Sequence, residues 1–125
     1  MFVFHVSPNR HRNSIREKGI LKSKNGIDGP GVYVWIGGFL TAVKNADNSL
    51  MDCWDGDETK LENLDLWMAE IPDDTPTTIE WEDYIVLDID KIPPQDIVLV
   101  GDFLRISKEI SLKVEGERND EKRIH

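Results

Sequence analysis

The sequence predicts an α+β domain, and three observations lead to this fold class. Two segments in the first half of the chain, residues 13–19 and 39–46, have the apolar spacing of helices. The segments rich in β-forming residues are 2–6, 31–36, 64–71, 84–89 and 97–101. The 125 residues, 39% of them hydrophobic, suffice for one core but not for two.

The first helical segment has recognisable ends, whereas the second does not. Asn9 or Asn13 is expected to cap the first helix, and Gly19 suits its C-terminal stop. Residues 22–30 are rich in glycine and are predicted to form a loop. Residues 47–62 are polar and acidic, and their pattern leaves open whether they extend the second helix or form a loop.

The last part of the chain is predicted to be extended. Residues 103–114 suggest a final hairpin after the strand 97–101. Residues 116–125 are charged and lack a pattern, so we expect them to fray. The predicted organisation is therefore a single domain over residues 1–115 with a frayed tail over 116–125.

The charge is distributed unevenly along the chain. The net charge is -9, but residues 1–44 carry seven Lys or Arg against two acidic residues. Residues 45–125 carry eight Lys or Arg against 22 acidic residues. A uniformly acidic protein would repel nucleic acid over long range, but the basic first third of this chain could still face an anion such as a pyrophosphate.

Composition argues against several classes of protein. No apolar run approaches the roughly 20 residues that span a bilayer, so we expect no membrane association. The single cysteine, Cys53, excludes an internal disulfide framework and a cysteine zinc site. A cytoplasmic protein without a disulfide-linked partner is the expectation. The three histidines are scattered, so we also expect no metal.

Three short motifs remain as candidate functional residues. His5-Val6-Ser7 lies in the first strand, and Gly31-Val32-Tyr33-Val34 forms the strand after the glycine-rich loop. The acidic pair Glu82-Asp83 opens the strand 84–89. We expect His5 and Tyr33 to come from adjacent strands and to face one cleft, because each lies opposite its strand's main apolar set.

The order of these motifs resembles the N-terminal half of the ADP-ribosyltransferase superfamily. The similarity continues through residues 64–71 and through 84–97, which look like the late strands of small bacterial and phage members. It covers roughly residues 2–100. The resemblance implies an ADP-ribosyltransferase-like split, strongly bent β-sandwich with one or two N-terminal helices, which grips NAD in a cleft.

The resemblance also implies roles for individual residues. His5 would bond the adenosine ribose or the nicotinamide amide, with Ser7 nearby. Tyr33 would stack on the nicotinamide ring, and Glu82 would bond the nicotinamide ribose and stabilise an oxocarbenium-like transition state. His5, Tyr33 and Glu82 are therefore the implied catalytic residues. The implied pyrophosphate ligands are Arg10, Arg12 or Arg16.

The implied function is NAD-dependent transfer of ADP-ribose to a protein or nucleic-acid target. The acid is the weakest match, since Glu80, Glu82 and Asp83 all precede the strand. Two alternatives stay open: a catalytically inactive acidic binding or inhibitor module of the same fold, and an arginine-based RNA 2′-phosphotransferase-like enzyme. A toxin role or a role in phage–host conflict follows only by analogy with the family.

Overall fold

The computed structural model describes residues 1–53 and 58–124, and the side chains of residues 1–52 and 60–113. It contains two sheets and three helices. The strands are β1 (Phe2–Pro8), β2 (Ile20–Leu21), β3 (Val32–Trp35), β4 (Leu64–Glu70), β5 (Thr77–Glu80), β6 (Tyr84–Leu87), β7 (Lys91–Ile92) and β8 (Ile97–Asp102). The helices are α1 (Arg12–Lys18), α2 (Phe39–Cys53) and α3 (Phe103–Ile124). The predicted α+β class is confirmed.

Six of the strands form one antiparallel sheet with the order β5–β6–β3–β1–β4–β8, and β2 pairs with β7 in a small second sheet. Apolar clusters cover both faces of the large sheet. One cluster joins Val3 and Trp67 to Ile15 of α1 and Ile92 of β7. The other joins Phe4 and Leu66 to apolar residues of α2 and α3. None of the helices in the described ranges is long and apolar enough to cross a bilayer.

The predicted C-terminal hairpin over residues 103–114 is wrong, because this segment belongs to α3. The side chain of Asp102 accepts a bond of 3.0 Å from the backbone N–H of Arg105, as an N-cap residue does. Phe103, Ile106 and Ile110 then recur at helical spacing on the face that packs against the sheet. The helix includes residues 116–124 of the predicted tail, while His125 lies outside the described residues.

The first helix begins differently from the prediction but ends as predicted. Neither Asn9 nor Asn13 caps it: residues 9–11 form a 3-10 turn, and the N-cap residue is His11, whose side chain makes no capping bond. Gly19 does end the helix, with φ of 85° and its N–H bonded to Ile15. The sequence left the structure of residues 47–62 undecided. Their first part is the end of α2, and Glu58–Leu61 form a 3-10 turn, while residues 54–57 lie outside the described residues.

The large sheet opens between two of its central strands. Strand β1 pairs with β4 along seven residues, from Phe2 to Pro8. Toward β3 its register contains a single pair, Phe4 with Trp35. Beyond Phe4 the two strands therefore separate, and backbone groups of β3 need other partners. This opening is where the candidate site lies.

Candidate functional site

A cleft of 440 Å³ lies at the opening between β1 and β3. Small-molecule sites have volumes of about 300–1,000 Å³, so the cleft has a suitable size. Its lining comes from the large sheet, from the loop before β3 and from the second half of α2. The lining residues are His5, Val6, Ile27, Tyr33, Val34, Trp35, Ser49, Leu50, Asp52 and Tyr84. His5 and Tyr33 thus line one cleft from adjacent strands, as predicted.

His5 fills the gap where the β1–β3 ladder ends. Its Nδ1 lies 2.9 Å from the backbone carbonyl oxygen of Tyr33. A carbonyl can only accept, so Nδ1 donates the hydrogen. Burial lowers the pKa of His5 below its ordinary value, against a smaller raising effect of this bond. The neutral ring therefore presents Nε2 as a hydrogen-bond acceptor.

His5 and Tyr33 do not reach the shared cleft by strand alternation, contrary to the prediction. His5 pairs with Trp67 and lies on the face of Val3, whereas Tyr33 shares a face with Trp35, on the other side of the sheet. By alternation alone the two side chains would point apart. They meet because the strands separate and the imidazole reaches the Tyr33 carbonyl through the gap.

The half-buried imidazole of His5 makes the stability of the fold sensitive to pH. As pH falls below about 6.5, the unfolded chain protonates His5 before the folded chain does. The free energy of unfolding should therefore fall from about pH 6.5 down to the lowered pKa of the folded state. His5→Asn keeps a donor near Nδ1 and should reduce this slope in urea unfolding between pH 5 and 7. His11→Asn, at an exposed position, is the control, and an unchanged slope in His5→Asn would refute the assignment.

The hydroxyl of Tyr33 is held by the glycine-rich loop. It donates to the carbonyl oxygen of Gly29 at 2.6 Å and accepts from the backbone N–H of Asp28 at 2.9 Å. A Cβ at Gly26 would lie 2.2 Å from this hydroxyl oxygen, so a larger residue there would displace the outer end of the Tyr33 ring. The loop therefore clamps the outer end of the ring, and the ring itself forms part of the cleft wall.

Three aromatic rings form this wall. The rings of Tyr33 and Tyr84 are stacked, with centroids 6.3 Å apart and planes 19° apart. Trp35 tilts against Tyr84 at 5.5 Å. Burial, with a smaller effect of Asp28, raises the pKa of Tyr84 to about 12, so the hydroxyl is neutral at pH 7. Sequence reasoning missed Trp35 and Tyr84, although alternation places Trp35 on the face of Tyr33.

A second hollow of 640 Å³ adjoins the aromatic cleft, and Val6 and Leu50 line both. It contains the cationic side chains of Arg10 and Lys60. Amide side chains are also present, since Asn9 and Asn63 line it, together with one acid, Glu62. The two hollows together form a groove that is aromatic at one end and cationic at the other.

Of the three predicted arginines, only Arg10 lines this groove. Arg12 instead makes a two-point ion pair with Asp65, at 2.9 and 2.7 Å, and this bond raises the pKa of the guanidinium. The Asp65 side chain is only 2% exposed, and Arg12 is the cation that compensates it there. Arg16 is an exposed residue of α1 and is not among the groove's lining residues. The predicted role for an arginine therefore rests on Arg10.

Ser7 lies away from the cleft surface. It is 8% exposed and directly opposite Asp65 in the sheet. Within the described part of the chain its hydroxyl oxygen has no hydrogen-bond partner, and Ser7 does not line either hollow. The structure therefore brings His5 and Tyr33 together but does not add Ser7 to them.

The predicted acid, Glu82, is exposed and does not line the cleft. Glu82 lies in the turn between β5 and β6, and Glu80 lies in β5, where it accepts a bond from Thr77. Neither is among the described lining residues, whose single acid is Asp52. Sequence reasoning missed Asp52 because nothing local relates the end of α2 to the start of β3. Glu82 remains a prediction.

Comparison of the chain with family models, with curated proteins and with solved structures returns no match. Among the described residues, no group of three His, Cys, Asp or Glu side chains could hold a metal ion.

Proposed function

We propose that this protein transfers ADP-ribose from NAD to a macromolecular target. The observation that carries the proposal is the groove that joins an aromatic cleft at a strand opening to a cationic hollow. NAD has the same polarity, with a flat ring at one end and phosphates further along. The resemblance of the His5 and Tyr33 segments to ADP-ribosyltransferases supports the same assignment.

The groups in the groove suit the parts of NAD. The nicotinamide ring would lie against Tyr33, with its carboxamide N–H donated to Nε2 of His5. The pyrophosphate would reach Arg10 and Lys60 in the adjoining hollow, where a guanidinium fork matches phosphate oxygens. Arg12 is already paired with Asp65, so an arginine-based RNA phosphotransferase reaction would lack one of its three candidate arginines.

The proposed reaction breaks one bond and forms one bond at the nicotinamide ribose. The carbon–nitrogen bond to the pyridinium breaks, its electron pair leaves with nicotinamide, and nicotinamide departs as a neutral molecule. A nucleophilic atom of the target bonds to the same ribose carbon and releases its proton to solvent. Positive charge develops on the ribose meanwhile, so a nearby carboxylate accelerates the reaction. Glu82 is the proposed carboxylate, and Asp52 is the competing one.

The acceptor in this proposal is a protein or a nucleic acid, met in the cytoplasm. The acidic later part of the chain favours a target with a basic surface. The rim of the cleft offers the contact, through the turn at 81–83 and the end of α2. Trp81, which is 52% exposed, is the large apolar side chain in that turn.

NAD is expected to raise the melting temperature, because a ligand that binds only the folded state stabilises it by mass action. His5→Ala should weaken this shift by removing the Nε2 acceptor. Tyr33→Ala should weaken it further by removing the stacking surface, whereas Tyr33→Phe keeps the ring and should retain most of the shift. The measurement is thermal unfolding with and without saturating NAD, alongside nicotinamide release with a cell lysate as the source of target.

The outcomes separate the proposal from its alternatives. Nicotinamide release in the presence of NAD and lysate supports an enzyme. An NAD-dependent shift without any release favours the catalytically inactive binding module. Equal shifts in the wild type, His5→Ala and Tyr33→Ala would mean that NAD binds outside this cleft, and the proposal would then fail.

A further inference from the structure

Asp28 joins the glycine-rich loop to three other segments around the cleft. Its backbone N–H donates to the Tyr33 hydroxyl on β3 at 2.9 Å. Its carboxylate oxygen Oδ2 accepts a hydrogen bond from the Tyr84 hydroxyl on β6. The same oxygen lies 3.4 Å from the indole Nε1 of Trp81, in the turn between β5 and β6. Asp28 is thus the residue where the loop, the aromatic wall and this turn meet.

The partners of this carboxylate are neutral donors. None of the ion pairs among the described residues includes Asp28. A hydrogen bond to a charged acceptor is about twice as strong as a neutral one, so the carboxylate holds the Tyr84 hydroxyl firmly. The bond to Trp81 is long and the indole is half exposed, so it contributes less.

Trp81 connects the hydrogen bonds of Asp28 to the turn that carries the proposed acid. Glu82 follows Trp81 directly, and the backbone N–H of Trp81 donates to the Tyr84 carbonyl at 2.9 Å. Tyr84 is therefore attached to the turn by its backbone and to Asp28 by its side chain. Movement of the Tyr84 ring would shift both the aromatic wall and the turn that carries Glu82.

We propose that Asp28 is a positioning residue, whose carboxylate holds Tyr84 and Trp81 so that the aromatic wall and the turn bearing Glu82 keep one relative geometry. This role rests on the proposed transfer reaction. Asp28 touches no reacting atom in this arrangement and acts through its two aromatic partners. A misplacement of about 1 Å at such a distance can cost about a hundredfold in rate.

The test is a double-mutant cycle on kcat for nicotinamide release. Asp28→Ala and Tyr84→Phe each remove the same hydrogen bond, so each should lower kcat by about tenfold to a hundredfold. The double variant should be no worse than the more damaging single variant, because the bond can be lost only once. Asp28→Asn keeps an acceptor oxygen and should retain more activity than Asp28→Ala. Asp74→Asn, in an exposed loop, controls for the lost charge.

A second measurement needs no activity. The chain has two tyrosines, so Tyr84→Phe leaves Tyr33 alone and assigns the ultraviolet signal of tyrosine ionisation. In Asp28→Asn the pKa of Tyr84 should fall below about 12, while burial, the larger cause, keeps it above the ordinary value of about 10. A purely structural role for Asp28 would lower the melting temperature without changing kcat in the folded protein.

The outcomes distinguish this proposal from the proposed function. Wild-type protein that releases no nicotinamide overturns both. An active wild type with equally active Asp28→Ala, or with additive losses in the double variant, overturns only the positioning role. An unchanged Tyr84 pKa in Asp28→Asn also overturns it, whatever the activity, because the carboxylate would then not govern Tyr84.

Discussion

Replacing Glu82 by glutamine is expected to lower NAD-dependent transfer about a hundredfold or more, with little change in the affinity for NAD. Glutamine keeps the shape and the hydrogen-bonding capacity of glutamate but removes its negative charge. If that charge stabilises the cationic ribose only in the transition state, kcat falls while ground-state binding persists. The measurements are kcat for nicotinamide release and the NAD-dependent melting shift, taken on the same preparations.

Two matched substitutions decide which carboxylate acts. Glu80→Gln should be nearly silent, because the Glu80 side chain is exposed in β5 and already accepts a bond from Thr77. Asp52→Asn tests the acid that lines the cleft. Loss of transfer in Asp52→Asn alone would move the acid to the end of α2. Loss of transfer in Glu80→Gln alone would assign the acid to Glu80, two residues before Glu82. If none of the three substitutions lowers transfer, the assignment of a catalytic acid fails and the arginine-based reaction gains support.

Gly19→Ala is expected to destabilise the fold by about 3 kcal/mol or more. Gly19 has φ of 85°, a conformation that costs other residues about 1–3 kcal/mol. A Cβ there would also lie 2.1 Å from the backbone oxygen of Ile92, and such overpacking costs roughly a further 1–3 kcal/mol. The Ile92 oxygen belongs to the backbone of β7, so it cannot move aside as the end of a flexible side chain could. Urea unfolding of the two proteins measures the difference.

Gly38→Ala is the matched control for this prediction. Gly38 has the same φ of 85°, but a Cβ there would meet nothing within 4 Å. Its cost should therefore contain the conformational part without the clash. Equal losses of stability in the two variants would show that the close approach to Ile92 does not matter.

Local patterns account for the elements that the sequence predicts correctly. Gly19 ends α1 because glycine alone adopts its conformation easily, and this preference needs no distant partner. The segment 103–114 was predicted as a hairpin but forms part of α3. Its apolar residues suggest a hairpin, but Phe103, Ile106 and Ile110 recur at helical spacing and pack against the sheet. The backbone N–H of Arg105 also donates to the side chain of Asp102, which caps the helix.

In the candidate site too, the sequence indicates some residues correctly and others not. The sequence singles out His5 and Tyr33 because each lies opposite its strand's main apolar set and because the order of their motifs resembles that of ADP-ribosyltransferases. Ser7, from the same motif as His5, is buried opposite Asp65 and lines neither hollow. The partners of the site were not found, since Asp65 lies 53 positions from Arg12 and Tyr84 lies 56 positions from Asp28.

The sequence by itself determined the α+β class and the helix stop at Gly19, and it singled out His5 and Tyr33. That these two residues meet at one cleft depends on the separation of β1 from β3, which alternation does not predict. Only the tertiary structure decided that Arg12 is paired with Asp65, that Arg10 borders the groove and that Asp52 lines the cleft. The physical reason is that periodicity reports which face of an element is apolar, while the choice of partners depends on the order of strands in the sheet. That order, with its opening between β1 and β3, results from the packing of the whole chain.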